Sequence, residues 1–302
     1  MDWRLKAGLQ NLFSVLPGGH QLNNLFRRHI THGLPVTDAV LMEHCGYASA
    51  YVGCLARYSQ TALDAAHFFE FGAGSDLIVP LALFGLGVNR QTLVDITPLA
   101  AHDLVADIAE RLSRDRVPLG LRRDPPPPDG PDLQDELARR YGIIYQAPGD
   151  ARHTDLPARS VHLVTSTNTM EHIPPDDILA ILTECQRVVS DDGVIACRID
   201  YQDHYSYFDS RISAYNFLRY SDRTWRKYSP NLQFQNRLRH SDYLQLFKRA
   251  GWVIVEENPE RGSAADLEVV GAISLDERFS RYSPEDLATR SALIVARPGR
   301  GV

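Results

Sequence analysis

Several small sets of residues in the chain have the means to bind or move charge. In HFFEFGAGSD an apolar run ends in Glu70 and gives way to Gly72-Ala73-Gly74. Glycines at such a turn let the backbone bend sharply beneath a ligand that a bulky side chain would hold away. Asp95 follows about 20 residues later at the end of the next apolar run, where a carboxylate can accept hydrogen bonds from both hydroxyls of a ribose. Gly149-Asp150-Ala151 follows the third run, and its loop carboxylate can meet an adenine amino group. The fourth run, SVHLVTSTNTMEHI (160–173), ends in small polar residues. A glycine turn alone is common in structural loops; four features in this order point to a nucleoside-bearing ligand.

The other sets bear on reactivity. Past the fifth run, RIDYQDHYSYFD contains Asp200, Asp203 and His204. A histidine that takes a proton from a hydroxyl needs an acidic partner to orient it, so His204 ranks first as a base, with Asp203 or Asp200 beside it. A histidine that only hydrogen-bonds a loop is the plainer alternative. His172 ranks lower, as a group that fixes the turn after the fourth run. Asp200, Asp203 and His204 can also be imagined around a divalent ion, but their spacing is loose and no metal ligands are expected. Between Tyr201 and His240 lie Tyr205, Tyr207, Phe208, Tyr215, Phe217 and Trp225, interleaved with Arg211, Arg219, Arg223 and Arg226. Aromatic faces suit a sugar or polyketide-like acceptor, and arginines a carboxylate or phosphate on it. Part of these aromatics also reads as the core of the insertion itself. The polar run from Gln235 to His240 either faces the acceptor or caps the helix that follows. His29, His32 and His44 lack metal spacing and read as incidental.

These groups must be positioned by a regular scaffold. From His67 short apolar runs alternate with amphipathic stretches, the pattern of a parallel α/β sheet. Seven strands are expected: 67–71, 92–96, 143–146, 161–166, 194–199, 252–256 and 292–296. Helices are expected over 76–84, 98–113, 133–141, 176–189 and 241–250. Two segments interrupt the alternation. RRDPPPPDGPD (122–132) can be neither helix nor strand, because proline lacks the amide donor and fixes φ. The stretch 201–240 is too long for a simple connection and reads as a substrate-covering insertion.

Composition sets the limits. The chain has 302 residues, 44% hydrophobic and 23% charged, with a net charge of −6. It should fold around one large core, and it lacks the basic footprint of a nucleic-acid binder. Its first residues are not a secretory signal or a span, so a cytoplasmic location is expected. Leu5, Leu9, Leu12, Phe13 and Leu16 fit an amphipathic helix that packs on the protein. Cys45, Cys54, Cys185 and Cys197 form no CxxC pair and read as buried thiols.

At Met170-Glu171-His172-Ile173 the sequence resembles the class I S-adenosylmethionine-dependent methyltransferases, in particular the branch with an "LEHI"-like signature after strand four. The resemblance spans roughly residues 66–200 and ends in VVSDDGVIACRID. It implies a Rossmann-like, seven-stranded, mostly parallel sheet with helices on both faces and S-adenosyl-L-methionine as cofactor. It further implies that Glu70, Gly72, Ala73 and Gly74 line the methionine part and that Asp95 holds the ribose. Asp150 and Ala151 would then meet the adenine, and Asn168 would lie near the sulfonium. The chain departs from the commonest form of the turn, with Asp76 where a third glycine usually stands.

The expectation is therefore a methyltransferase with a helical segment over 1–65 and a catalytic domain over 66–302, carrying insertions at about 116–132 and 201–240. It is expected to methylate oxygen on a small molecule or glycan unit. Expected partners are that acceptor and, in the simplest assembly, a second copy in a homodimer, with no nucleic acid and no membrane. Two alternatives stand beside it: an NAD(P)-dependent oxidoreductase, disfavoured because Leu77 replaces the last glycine of GxGxxG and Asp76 repels a phosphate, and a noncatalytic binding protein that retains the fold.

Overall fold

The structure is a computed structural model and describes residues 2–16, 18, 19, 22, 28 and 33–299. His29 and His32 lie outside the described residues. Seven strands, β1 (His67–Phe71), β2 (Arg90–Val94), β3 (Ile143–Gln146), β4 (Val161–Thr167), β5 (Val189–Asp200), β6 (Trp252–Glu260) and β7 (Ser291–Pro298), form one sheet in the order β3-β2-β1-β4-β5-β7-β6. The first five pair in parallel. β7 runs antiparallel to both of its neighbours. Every residue of β1 is buried, as expected of a central strand covered on both faces.

Around the sheet lie α1 (Trp3–Ser14), α2 (Asp38–Tyr58), α3 (Ile78–Leu86), α4 (His102–Arg114), α5 (Leu133–Tyr141), α6 (Pro175–Val188), α7 (His240–Arg249) and α8 (Ala264–Ala272). Strand alternation divides the core. Phe68 packs with α2, α3 and α4 on one face, and Phe69 and Phe71 pack with α6 and α7 on the other. Four cysteines, Cys45, Cys54, Cys185 and Cys197, are buried free thiols within these layers. No helix among the described residues is long and apolar enough to cross a membrane.

The expected elements recur with shifted ends. β5 begins at Val189 because Val161 pairs with Val189 before a register shift, so Asp191-Asp192-Gly193 runs within the strand instead of forming a separate turn. β6 extends to Glu260 by pairing along β7 across its own register shift. α4 starts at His102, four residues after the expected position, because residues 96–101 cross the carboxyl end of the sheet, where the Ala101 amide donates to Ser75. α8 was not expected from the sequence; Ser263 caps it, bonding the Asp266 amide while the Asp266 carboxylate accepts from the Ser263 amide.

The segment 201–240 holds short helical turns around its own aromatic core. Tyr205, Tyr215, Phe217 and Trp225 are buried there together with Trp3 of α1, Phe279 and Leu287. Trp3 stands 4.7 Å from Tyr228 and 5.5 Å from Tyr205 between ring centroids. Arg211, Arg219, Arg223 and Arg226 are exposed.

Candidate active site

Strand order reverses between β1 and β4, and in open α/β sheets the crevice outside the carboxyl ends at such a point is where ligands bind. The glycine turn sits there. Gly72 has φ +77°, its amide donates to Val94, and a Cβ on it would lie 2.1 Å from Thr169 Cγ2. Thr169 Oγ1 donates to the Gly72 carbonyl at 2.9 Å and Ser166 Oγ to the Phe71 carbonyl at 3.1 Å, so the ends of β1 and β4 are tied together. Gly74 has φ +80°, and a Cβ there would meet nothing within 4 Å, so its surroundings are open to a ligand.

Two carboxylates lie beneath this opening. Glu70 is 3% exposed; Thr167 Oγ1 reaches its Oε1 at 3.5 Å, and Oε2 has no partner. Burial and the nearby charge of Asp95 push its pKa up to about 8. Burial likewise raises Asp95 to about 6, although the Tyr145 hydroxyl and the Ala73 and Gly74 amides oppose the rise. Asp95 Oδ2 is also buried without a partner. Orphaned acceptors of this kind cost free energy unless a donor arrives. The ammonium and ribose hydroxyls of S-adenosylmethionine supply such donors, so these residues fit the cofactor.

The neighbouring loop is held in place as well. Asp95 accepts the Gly149 amide on its carbonyl and donates its own amide to Gln146. Asp150 is engaged by Arg152, which also pairs with Asp177 at 2.7 Å, and Ala151 packs on the core of that face. Arg152 thereby holds Asp150 below the ordinary carboxylate range. Asn168 lies at φ +49°, a left-handed conformation that asparagine tolerates, and its amide donates to Arg198 on β5. Tyr51 of α2 donates to the Ser166 carbonyl and meets Thr167 Oγ1 at 2.9 Å from below. Tyr51 and Tyr145 have no motif to mark them, and Thr169 is one of several small polar residues at the end of the run 160–173; the fold brings all three to the strand ends.

A second cluster forms where the turn after β4 meets the end of β5. His204 Nε2 lies 3.2 Å from Asp200 Oδ2, off the direction of a hydrogen bond, and 4.0 Å from Glu171 Oε1. The His172 and His204 rings meet edge to face with centroids 4.8 Å apart. Burial and the neighbouring His204 lower the His172 pKa to about 4, so its ring is neutral. Glu171 is 3% exposed, and neither of its oxygens has a partner. Burial and the Asp200 charge drive its pKa far up. Burial tends to raise Asp200 too, but His204 and the Tyr207 hydroxyl hold it below the ordinary range. Of the two acids adjacent to His204 in sequence, the structure brings Asp200 to the ring. Asp203 is fully buried and turned into the insertion, where it accepts from the Tyr205 amide and from Asn216 Nδ2, both at 2.9 Å.

The polar run 234–240 fastens this cluster. The Phe234 carbonyl meets His172 Nδ1 at 2.6 Å. Asn236 donates its side-chain amide to Met170 and Ile173, both at 2.8 Å, and its main-chain amide to Glu171. Gln235 Oε1 accepts the His204 amide. Arg239, with no exposed surface, donates to the Tyr201, Leu287 and Thr289 carbonyls. Of the two readings of this run, structural fastening accounts for these bonds.

Residues 132–197, from the start of α5 through most of β5, match the family model described as a methyltransferase domain. No curated protein matches the chain significantly. Solved structures that resemble it include a complex of the Haloferax volcanii Trm112 methyltransferase activator with a methyltransferase, at 15% identity and a TM-score of 0.44, covering 88% of this chain and 96% of that one. Another is the geranyl diphosphate C-methyltransferase of Streptomyces coelicolor, at 14% identity and a TM-score of 0.44, covering 82% and 78%. A third is an S-adenosylmethionine-dependent methyltransferase from Methanosarcina mazei, at 13% identity and a TM-score of 0.46, covering 81% and 96%. The family match takes in α5, β3, β4, α6 and most of β5, so this part of the chain, which includes the β4 end of the crevice, is similar to a methyltransferase domain.

Proposed function

We propose that the protein transfers the methyl group of S-adenosylmethionine to a hydroxyl oxygen of a small molecule or glycan unit. The observation that supports this most is the placement of His204 beside Asp200 at the end of β5, next to the crevice. Methyl transfer from a sulfonium is an in-line displacement, so the protein's task is to align the acceptor and, for a hydroxyl, to remove its proton. His204 takes that proton and Asp200 stabilises the imidazolium that forms. Asp203 acts as a positioning residue that holds the turn, and His172 backs the ring of His204.

On the cofactor side, Glu70 receives the ammonium and Gly72, Ala73 and Gly74 lie along the methionine part. Asp95 takes the ribose hydroxyls, Asp150 and Ala151 border the adenine, and Asn168 lies near the sulfonium. When bound, the cofactor supplies the electrophilic methyl group. The exposed Tyr207, whose hydroxyl donates to Asp200, places an aromatic ring beside His204 for the acceptor.

The test is a panel of sugar and polyphenol hydroxyl acceptors assayed for methyl transfer with labelled cofactor, using the wild type and His204→Gln. The expected outcome is methylation on oxygen, with kcat lowered in the variant by about 10²–10⁴ and the S-adenosylhomocysteine affinity unchanged. Methylation on carbon or nitrogen, or full kcat in the variant, would overturn this reading.

A further inference from the structure

Glu171, His172 and His204 each place one potential ligand atom within 4.8 Å of the others. We infer that these three side chains form a binding site for a divalent transition-metal ion of the zinc class. The inference rests on reading this cluster as the place where the acceptor is ionised.

Three features carry it. First, Glu171 is buried and neither of its oxygens is hydrogen-bonded, so both are open to a cation. Second, His172 is already oriented as a ligand. Its Nδ1 meets the Phe234 carbonyl at 2.6 Å, which fixes the proton on Nδ1 and leaves Nε2 as the lone-pair nitrogen. Metal-bound histidines characteristically have their second nitrogen held by a carbonyl or carboxylate in this way. Third, the turn bearing Glu171 and His172 is clamped from outside by Asn236, while Gln235 anchors the His204 amide, so the donors are set before any ion arrives.

The donor set decides the class of ion. Two imidazoles and one carboxylate suit zinc or a similar borderline ion over magnesium or calcium, which prefer oxygen. Ligands at about 2.0–2.1 Å from a tetrahedral ion lie about 3.3 Å apart, so the present spread closes with small side-chain rotations. Three protein donors leave a fourth position open, the arrangement of catalytic sites. With the ion in place His204 would be a ligand, and coordination would take over from it the ionisation of the acceptor hydroxyl, whose proton would pass to water.

The decisive experiment uses the full chain, freed of metal by chelator dialysis and titrated with Co²⁺ and then displaced by Zn²⁺. Saturation at one equivalent is expected, with the visible absorption of nitrogen-ligated low-coordinate cobalt. Glu171→Gln and His204→Asn are each expected to weaken binding by about a hundredfold or more, since loss of outer-shell support alone costs 10–100-fold. S-adenosylhomocysteine affinity reports whether each variant is folded. Absence of saturable binding by the wild type, or equal binding by variants that still bind S-adenosylhomocysteine, would overturn the site. Its failure leaves oxygen methylation by His204 intact, whereas methylation on carbon or nitrogen would not alter the cobalt titration.

Discussion

In the proposed cofactor site, Glu70 and Asp95 are buried at a cost to the free protein. Glu70 has its pKa raised from 4.5 to about 8 and Asp95 from 3.8 to about 6. Across those windows the folded state holds more protons than the unfolded one, so stability contributed by these groups is full at acid pH and is lost as pH rises through the folded values. Chemical denaturation of the cofactor-free protein should therefore show a decline in stability between about pH 4.5 and 8, and Glu70→Gln should remove its upper part. An unchanged slope in the variant would exclude a protonated Glu70. An ammonium placed against Glu70 favours the carboxylate, so S-adenosylhomocysteine, which carries an α-ammonium, should bind more tightly as pH rises toward 8 and release a proton on binding, which calorimetry in buffers of different ionisation enthalpy can measure. Gly72→Ala combines a strained φ with a clash on Thr169 and should cost more than about 1 kcal/mol in a denaturant titration, with loss of cofactor binding. Near-normal stability and binding would show that the turn yields.

At the scale of elements, the parts that read clearly from sequence were those governed by local pattern. β1 is a run of apolar residues ended by an acid and glycines, and its bounds match the expected ones. α5 also matches residue for residue, because Asp132 caps it and Gly142 ends it in a left-handed conformation. What local pattern could not reveal depends on distant partners. Asp200, not Asp203, meets His204 because the backbone turns after β5, and Glu171 is left buried and unpaired only once 234–240 closes over it. The run Gln235–His240 offered polar side chains without indicating that they bond carbonyls from three separate segments. Arg239→Ala would leave several buried carbonyls unmet and should destabilise by at least about 2 kcal/mol. Trp3→Ala should cost about 3–5 kcal/mol, since the ring fills the core shared by α1 and the insertion. Equilibrium unfolding checks both, and values under 0.5 kcal/mol would mean that these anchors are dispensable.

For the whole molecule, a mostly parallel sheet whose order reverses between β1 and β4 offers a crevice at its carboxyl ends, and the proposed function puts the nucleoside on the β1–β2 side and the acceptor on the β4–β5 side. α1 and the insertion join in a third core, so this part of the molecule is built from segments distant in sequence. The most direct test is calorimetric titration of S-adenosylhomocysteine into the wild type and Asp95→Ala, with NAD as the competing ligand. The account predicts one site per chain, a loss of about 1–3 kcal/mol in the variant from hydrogen bonds left unmade, and no binding of NAD. Unchanged affinity in Asp95→Ala, or binding of NAD without S-adenosylhomocysteine, would contradict it.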